Sequence, residues 1–240
     1  MNNRFSIKET LWFGFSTVID HFAFFIALML SYLGIIVVGS IAGFALLCLP
    51  FSYSIVKIGK TLNTVGITNS EVVKNFLVNS GPAFTICLSA LLLLIYFLYR
   101  LLSLGMVKIA LDFYDDRESK IEKLFSCWRL VARDVVATTL YWLMCAIGFS
   151  MLIVPGIYLA ITFGFYQYAI VDQNAGVFDS FRKSAQLTTG YKMDIFGLMF
   201  LMAIIKWAAV SLFGIALIIV VPAFALSYAY VYRKLLAGAQ

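Results

Sequence analysis

Long apolar stretches alternate with short amphipathic ones along the whole chain. The apolar stretches approach or exceed the ~20 residues with which a helix crosses the ~30 Å hydrocarbon core of a bilayer. This pattern predicts an all-α fold, a polytopic bundle of membrane-spanning helices. The six predicted spans are residues 22–47, 83–110, 135–154, 156–172, 193–212 and 214–233.

The amphipathic stretches predict short elbow helices that lie in the membrane interface and join one span to the next. Four of them begin near residues 6, 69, 119 and 177. Their recurrence indicates internal repeats within a single membrane domain, residues 1–240. The fourth has a predicted apolar face of Val177, Phe178, Phe181 and Ala185, with charged and amide side chains opposite.

Two apolar stretches leave the number of spans open between six and eight. Residues 20–58 are almost continuously apolar, and one helix of that length would measure about 58 Å at ~1.5 Å per residue. A hairpin there and a second one within residues 82–111 would give eight spans. The choice decides the surroundings of Arg100, which lies in mid-membrane with six spans and in an outer turn with eight.

Composition places the chain among integral membrane proteins. Hydrophobic residues make up 62% and charged residues 12% of the chain, and the mean hydropathy is +0.95. Globular domains have roughly 45–50% apolar and about 25% charged residues. The net charge of +6 does not indicate nucleic-acid binding, because the basic residues stand at the ends of spans.

The distribution of basic residues predicts the orientation of the chain. With six spans, twelve basic residues share the side of both termini, and only Lys57, Lys60 and Lys74 lie opposite. Cytoplasmic loops of membrane proteins carry the excess of lysine and arginine. We therefore predict that both termini are cytoplasmic.

Two intramembrane cations, Arg100 and Lys206, are the sharpest functional candidates in the sequence. A cation within a span is costly unless it is paired, snorkels to the interface or faces water, so its presence predicts a functional site. Lys206 lies about six residues from the predicted outer end of its span, within snorkelling distance. With six spans, Arg100 lies too far from either end of its span to snorkel.

A basic and aromatic patch is the second candidate site. It consists of Arg182 and Lys183 on the fourth elbow helix and of Tyr191 and Lys192 just after it. Each basic residue close to an anionic membrane surface contributes about 1 kcal/mol of attraction. The patch predicts binding of anionic lipid headgroups, alongside its part in setting the orientation.

No pattern of residues points to catalysis, a resident metal or a cofactor. His21 is the only histidine, and the chain has no nucleotide-binding glycine loop, nucleophile elbow or HExxH motif. Clustered carboxylates at a membrane face can hold Mg²⁺ against a lipid diphosphate, as Asp112, Asp115 and Asp116 would. Basic residues follow them at once and no second acidic cluster matches, which favours a solvated turn.

Residues 155–188, PGIYLAITFGFYQYAIVDQNAGVFDSFRKSAQLT, resemble the YciC family of bacterial inner-membrane proteins. The shared pattern is Pro-Gly-Ile, an apolar span, an acidic or amide residue near its exit, and then Gly-Val-Phe, Ser, Arg, Ser and Leu-Thr. More loosely, the stretch is similar to the membrane domain of some glycerophosphodiester phosphodiesterases. The resemblance implies about six spans in a bacterial inner membrane and no established activity.

The sequence favours a non-enzymatic scaffold or partner subunit in membrane organisation. Its expected partners are membrane lipids with anionic headgroups and either another membrane protein or a second copy of the chain. The alternative is a small transporter or channel for an anionic or amphipathic solute, which requires Arg100 and Lys206 to meet inside the bundle. A more distant alternative is a phospholipid-processing enzyme built on Asp112, Asp115 and Asp116.

Overall fold

The computed structural model describes the backbone of residues 5–65, 70–117, 119–211, 214 and 216–238, and the side chains of the same ranges except 46–65 and 70–84. Within these ranges every regular element is a helix, which confirms the all-α prediction. The α-helices are α1 (Ile7–Asp20), α2 (Phe22–Val65), α3 (Ser70–Tyr114), α4 (Val131–Met151), α5 (Ile153–Phe163), α6 (Tyr166–Gln173), α7 (Val177–Thr188), α8 (Lys192–Ser211) and α9 (Leu217–Gly238). Two short 3₁₀ helices, Ile121–Phe125 and Trp128–Leu130, join α3 to α4.

Six helical segments of the described chain are long and apolar enough to cross a membrane. They are Phe22–Ala45, Thr85–Tyr114, Ile121–Met151, Ile153–Gln173, Lys192–Ser211 and Leu217–Gly238. The protein is therefore a multi-pass membrane protein with the six predicted spans. The eight-span alternative is wrong, because α2 and α3 run without a turn through the stretches where it places hairpins.

Two of the predicted elbow helices do not form separate α-helices. The segment that begins near residue 69 forms the first turns of α3, which continues from Ser70 to Tyr114. The segment after Ser119 forms the two 3₁₀ helices, in which Leu124 is buried whereas Phe125 and Trp128 are exposed. Hydrophobic spacing alone did not separate these shorter helices from an amphipathic α-helix.

The chain divides into two compact units, residues 1–30 with 100–240, and residues 31–99. In the smaller unit, glycines let α2 and α3 approach closely. Gly39 lies against Leu98, and a side chain at Gly43 would overlap Leu91. Lipid tails are as apolar as side chains, so the hydrophobic effect does not drive membrane helices together. They associate instead through close van der Waals packing at small residues.

The larger unit is built on two close helix pairs. α4 and α5 form an antiparallel hairpin in which Gly148 faces Gly156, and the chain reverses at Leu152 in extended conformation. α1 packs on α9, where a Cβ at Gly14 would overlap the carbonyl of Ala223. The Ser227 hydroxyl donates a hydrogen bond of 3.1 Å to the Thr10 carbonyl across this second contact.

Large apolar side chains cover the outside of the bundle. The chain's four tryptophans, Trp12, Trp128, Trp142 and Trp207, are all between 62% and 77% exposed. Such exposure is costly in water but favourable in lipid, where tryptophan concentrates near the headgroups. The exposed surface therefore fits the membrane location that the apolar helices require.

Candidate functional site

Arg100, the cation predicted in mid-membrane, forms a buried ion pair with Asp134. Arg100 lies on α3 and Asp134 in the first turn of α4, and they are 6% and 0% exposed. The guanidinium donates from Nε at 2.8 Å and from Nη2 at 2.5 Å to the same carboxylate oxygen, Asp134 Oδ2. This close pairing neutralises a cation that would otherwise be unstable within the bundle.

Three further side chains complete the hydrogen bonding around this pair. Arg100 Nη2 also donates to the Thr138 hydroxyl at 2.6 Å, and Thr138 Oγ1 lies 2.8 Å from the Tyr166 hydroxyl. Gln167 donates from Nε2 to the other carboxylate oxygen of Asp134, at 3.2 Å. These five residues, the Arg100–Asp134 cluster, connect α3, α4 and α6 through hydrogen bonds in which both carboxylate oxygens accept.

Lys206, the second predicted intramembrane cation, does not belong to this cluster. Its side chain is exposed on α8 and forms no ion pair with any described residue. Arg100 donates instead to Asp134 and Thr138 on α4. The transporter alternative requires the two cations to meet in one buried site, and the structure does not bring them together.

The predicted headgroup-binding patch is divided between two helices. Arg182 is exposed and Lys183 half-buried on α7, while Tyr191 and Lys192 are half-buried at the start of α8. The Lys192 ammonium donates a hydrogen bond to the Tyr158 hydroxyl and lies 3.7 Å from the centroid of the same ring. Arg182 therefore presents its charge outward, whereas Lys192 is held against α5.

The predicted apolar face of α7 is buried only in part. Phe178 is 79% exposed, and the buried face includes Ser180, Phe181, Ser184 and Thr188. The hydroxyl residues repeat at every fourth position, so they share one side of the helix. A helix face that buries serine and threonine needs polar groups opposite, and an interruption between α5 and α6 supplies them.

This α5–α6 break interrupts the span Ile153–Gln173 at Gly164 and Phe165. Where a helix ends, backbone donors and acceptors lose their partners within the helix. The Phe165 amide donates to Ser184 Oγ at 3.1 Å, and the Ser184 hydroxyl donates to the Thr162 carbonyl at 2.8 Å. Thr188 Oγ1 lies 3.3 Å from the same carbonyl and 3.2 Å from the Ala185 carbonyl of its own helix, so α7 satisfies the backbone groups that the break frees mainly through Ser184.

Replacing Ser184 with alanine tests this role of α7. The change leaves the buried Phe165 amide without its partner, which is expected to cost about 1–3 kcal/mol in free energy of unfolding. The cost is measured by thermal or denaturant unfolding of the purified protein in detergent. Ser150→Ala is the matched control, because the Ser150 hydroxyl is exposed and bonds only its own helix, at Ile147. Equal stability of the two variants would contradict the assigned role.

The acidic residues considered for metal binding are partly engaged with cations. Asp112 is buried and accepts from Lys123 Nζ at 2.7 Å, with Lys108 Nζ at 3.5 Å from its other oxygen. Asp116 is exposed in the turn after α3. In the part of the chain that the structure describes, no three His, Cys, Asp or Glu residues are grouped to hold a metal ion.

Asp115 belongs to a second ion-pair network, at the ends of α3, α6 and α9. Arg233 Nη2 lies 2.6 Å from Asp115 Oδ2. The same guanidinium donates two hydrogen bonds, of 2.8 and 2.9 Å, to the Asp172 carboxylate. The Tyr232 hydroxyl donates to Asp172 at 3.1 Å and accepts from Gln173 at 3.0 Å. The network connects the C-terminal ends of α3, α6 and α9.

Sequence reasoning found Arg100 but missed its partners. Asp134 stands next to Arg133 at the start of an apolar run, where charged residues are ordinary. The available signal was Thr138, four residues after Asp134 and therefore on the same face of α4. A carboxylate and a hydroxyl one turn apart can both accept hydrogen bonds from an intramembrane arginine.

Comparison with known proteins gives a family but no activity. A family model described as Domain of unknown function (DUF7847) matches residues 88–237. No curated protein and no solved structure matches the chain. The matched range contains all five residues of the Arg100–Asp134 cluster and the α5–α6 break.

Proposed function

Since the chain belongs to the family described as Domain of unknown function (DUF7847), which assigns no activity, we propose its function from the geometry of its own residues. The protein is a non-enzymatic scaffold or partner subunit in membrane organisation. One observation carries this proposal. Among the described side chains the buried charged residues are Arg100, Asp112 and Asp134, and each is paired with another residue of the chain.

The pairing matters because a transport path or a catalytic centre needs polar groups that face the substrate. Ionisable residues inside membrane proteins mark such paths when they line a cavity or a relay. Here Arg100 and Asp134 bond each other across α3 and α4, and Asp112 bonds Lys123. The buried charge thus stabilises contacts between elements, which supports a structural task for the bundle.

The proposed setting is a bacterial inner membrane with both termini cytoplasmic. Supporting it are the excess of basic residues on the side of the termini and the resemblance of residues 155–188 to the YciC family. The proposed lipid partners carry anionic headgroups, which the exposed Arg182 and the half-buried Lys183 beside it attract. The proposed protein partner, another membrane protein or a second copy, packs on the exposed apolar surface.

A transporter or channel for an anionic or amphipathic solute is the second candidate. The α5–α6 break favours it, because interrupted membrane helices form the substrate sites of many transporters. Against it, Ser184 and Thr188 already occupy the backbone groups that the break frees. A phospholipid-processing enzyme has less support, since Asp112 and Asp115 are already paired with lysine and arginine.

The proposal is tested by extracting the protein from cells in native nanodiscs, without detergent, and weighing the particles by mass spectrometry. We expect a discrete protein assembly heavier than the 26.8 kDa single chain. Vesicles reconstituted with the purified protein are expected to pass protons and organic anions no faster than empty vesicles. Single chains bound only to lipid would contradict the scaffold, and a flux above that of empty vesicles would favour the transporter.

A further inference from the structure

A cleft of about 450 Å³ opens in the larger unit beside the junction of α1 and α2 and the turn after α3. Its walls combine phenylalanine rings with carboxylates, one guanidinium and two hydroxyls. The membrane span of α2 begins at Phe22 and that of α3 ends at Tyr114. The cleft therefore lies where two spans reach the membrane surface, at the depth of the lipid headgroups.

Aromatic rings form one wall of the cleft. The Phe113 ring lies 5.3 Å from the ring of Phe24 and 5.2 Å from the imidazole of His21, centroid to centroid. Phe13 adds a third phenylalanine. The faces of such rings carry partial negative charge and attract ammonium groups. The wall is therefore suited to hold the cationic end of a ligand.

Charges of both signs stand at the mouth of the cleft. Asp20 and Asp116 present exposed carboxylates, and the Arg117 side chain is 63% exposed. Arg117 approaches Asp115 only at 3.7 Å, so its planar set of donors is largely open to an incoming oxyanion. Two carboxylates and one guanidinium repel a purely anionic ligand but suit a zwitterion.

Ser119 provides a further polar group in the cleft. Its Oγ atom is buried and makes no hydrogen bond to any described residue. A buried hydroxyl in a folded protein is normally hydrogen-bonded, so an unsatisfied one calls for a partner. A phosphate oxygen held by Arg117 is such a partner, because it accepts from a hydroxyl as well as from a guanidinium.

We propose that this cleft binds the headgroup of a phosphatidylethanolamine-type lipid. Arg117 and Ser119 take the phosphate, and Asp20 and Asp116 take the primary ammonium beside the phenylalanine wall. A primary ammonium donates hydrogen bonds to carboxylates, whereas the quaternary ammonium of a choline headgroup has no donor. This inference is independent of the scaffold proposal, because it rests on the residues of the cleft and on no assigned activity.

The test is competitive lipid binding, read by native mass spectrometry of the full chain in detergent. Phosphatidylethanolamine, phosphatidylcholine and phosphatidylglycerol with identical acyl chains are supplied in equal amounts. The chain carries Arg182→Gln and Lys183→Gln, so that the basic patch on α7 does not retain anionic lipid. We expect one phosphatidylethanolamine per chain, retained about tenfold more than either competitor. Arg117→Gln and Asp116→Asn are each expected to reduce its retention about tenfold. Their exposure makes a change in the unfolding midpoint unexpected, and this is checked on the same samples.

Matched controls are Arg129, on the 3₁₀ helix Trp128–Leu130, and Asp179, on α7, which are also exposed. Arg129→Gln and Asp179→Asn are expected to leave retention unchanged, and an equal loss in these variants would overturn the site. Equal retention of phosphatidylglycerol would indicate a phosphate site only, and equal retention of phosphatidylcholine would remove the role of the carboxylates. Either result overturns the proposal. Displacement by an equal concentration of soluble glycerophosphoethanolamine would overturn the lipid as the source of the headgroup.

Discussion

Replacing Arg100 with glutamine is expected to lower the free energy of unfolding by about 3–5 kcal/mol. The change leaves the Asp134 carboxylate, which is fully buried, without the guanidinium that holds it at 2.5 and 2.8 Å. An uncompensated buried charge costs more than the lost bonds themselves, because the carboxylate keeps its desolvation penalty. Titration of the protein from mild detergent into SDS, followed by circular dichroism, measures the loss.

Lys206→Gln is the matched control for this prediction. Lys206 also interrupts an apolar span, but its side chain is exposed on α8. Its replacement is expected to change the free energy of unfolding by no more than about 0.5 kcal/mol. If the two variants were destabilised equally, the assignment of one cation to the core and the other to the surface would be contradicted.

Replacing Gly105 with alanine is expected to destabilise the protein by about 1–3 kcal/mol. Gly105 lies on α3 against the 3₁₀ helix Ile121–Phe125, and an added Cβ would stand 2.7 Å from the carbonyl carbon of Leu124 and still closer to two other backbone atoms. Backbone cannot rotate away as a side chain does, so α3 and the 3₁₀ helix must separate. The same SDS titration measures this loss.

Gly34→Ala separates this overlap from the general effect of adding a methyl group to a helix. Among the described residues, no heavy atom beyond its own helix lies within 4 Å of a Cβ at Gly34. Because alanine favours a helix more than glycine does, this variant is expected to be neutral or more stable by up to about 1 kcal/mol. A similar loss in both variants would exclude packing against Leu124 as the cause.

The spans could be predicted from the sequence because one physical constraint determines them. A bilayer of fixed thickness requires about 20 apolar residues in each crossing helix, and the chain shows this directly. The same reasoning left the eight-span alternative open, in which the two longest apolar stretches fold back as hairpins within the bilayer. α2 instead continues without a break to Val65.

The composition of the buried cluster could be predicted only in part. An arginine in a long apolar stretch is conspicuous, so Arg100 was found, but its partner lies 34 positions further along. Nothing local distinguishes Asp134 from the charged residues that end many spans. The pairing depends on how α3 and α4 pack, which hydrophobic periodicity does not specify.

The orientation of α7 shows that hydrophobic periodicity alone does not identify which side of a helix is buried. The hydrophobic periodicity placed Phe178 and Phe181 on one apolar face. In the structure Phe181 is buried and Phe178 exposed, and the side of the helix that is buried with Phe181 carries Ser184 and Thr188. The Ser184 and Thr188 hydroxyls bond backbone groups of Thr162 and Phe165, which the break leaves without partners in their own helix. Gly164 marks the break in the sequence, but one glycine in an apolar span is also a common packing residue.

The claim that the buried charges serve structure is tested most directly by the double variant Arg100→Gln with Asp134→Asn, compared with both single variants. The account predicts that each single variant loses stability, whereas the double variant recovers to within about 1 kcal/mol of the wild type. It also predicts that the double variant keeps the mass of the wild-type assembly in native nanodiscs. Additive losses, or a stable double variant that no longer assembles, would contradict the account.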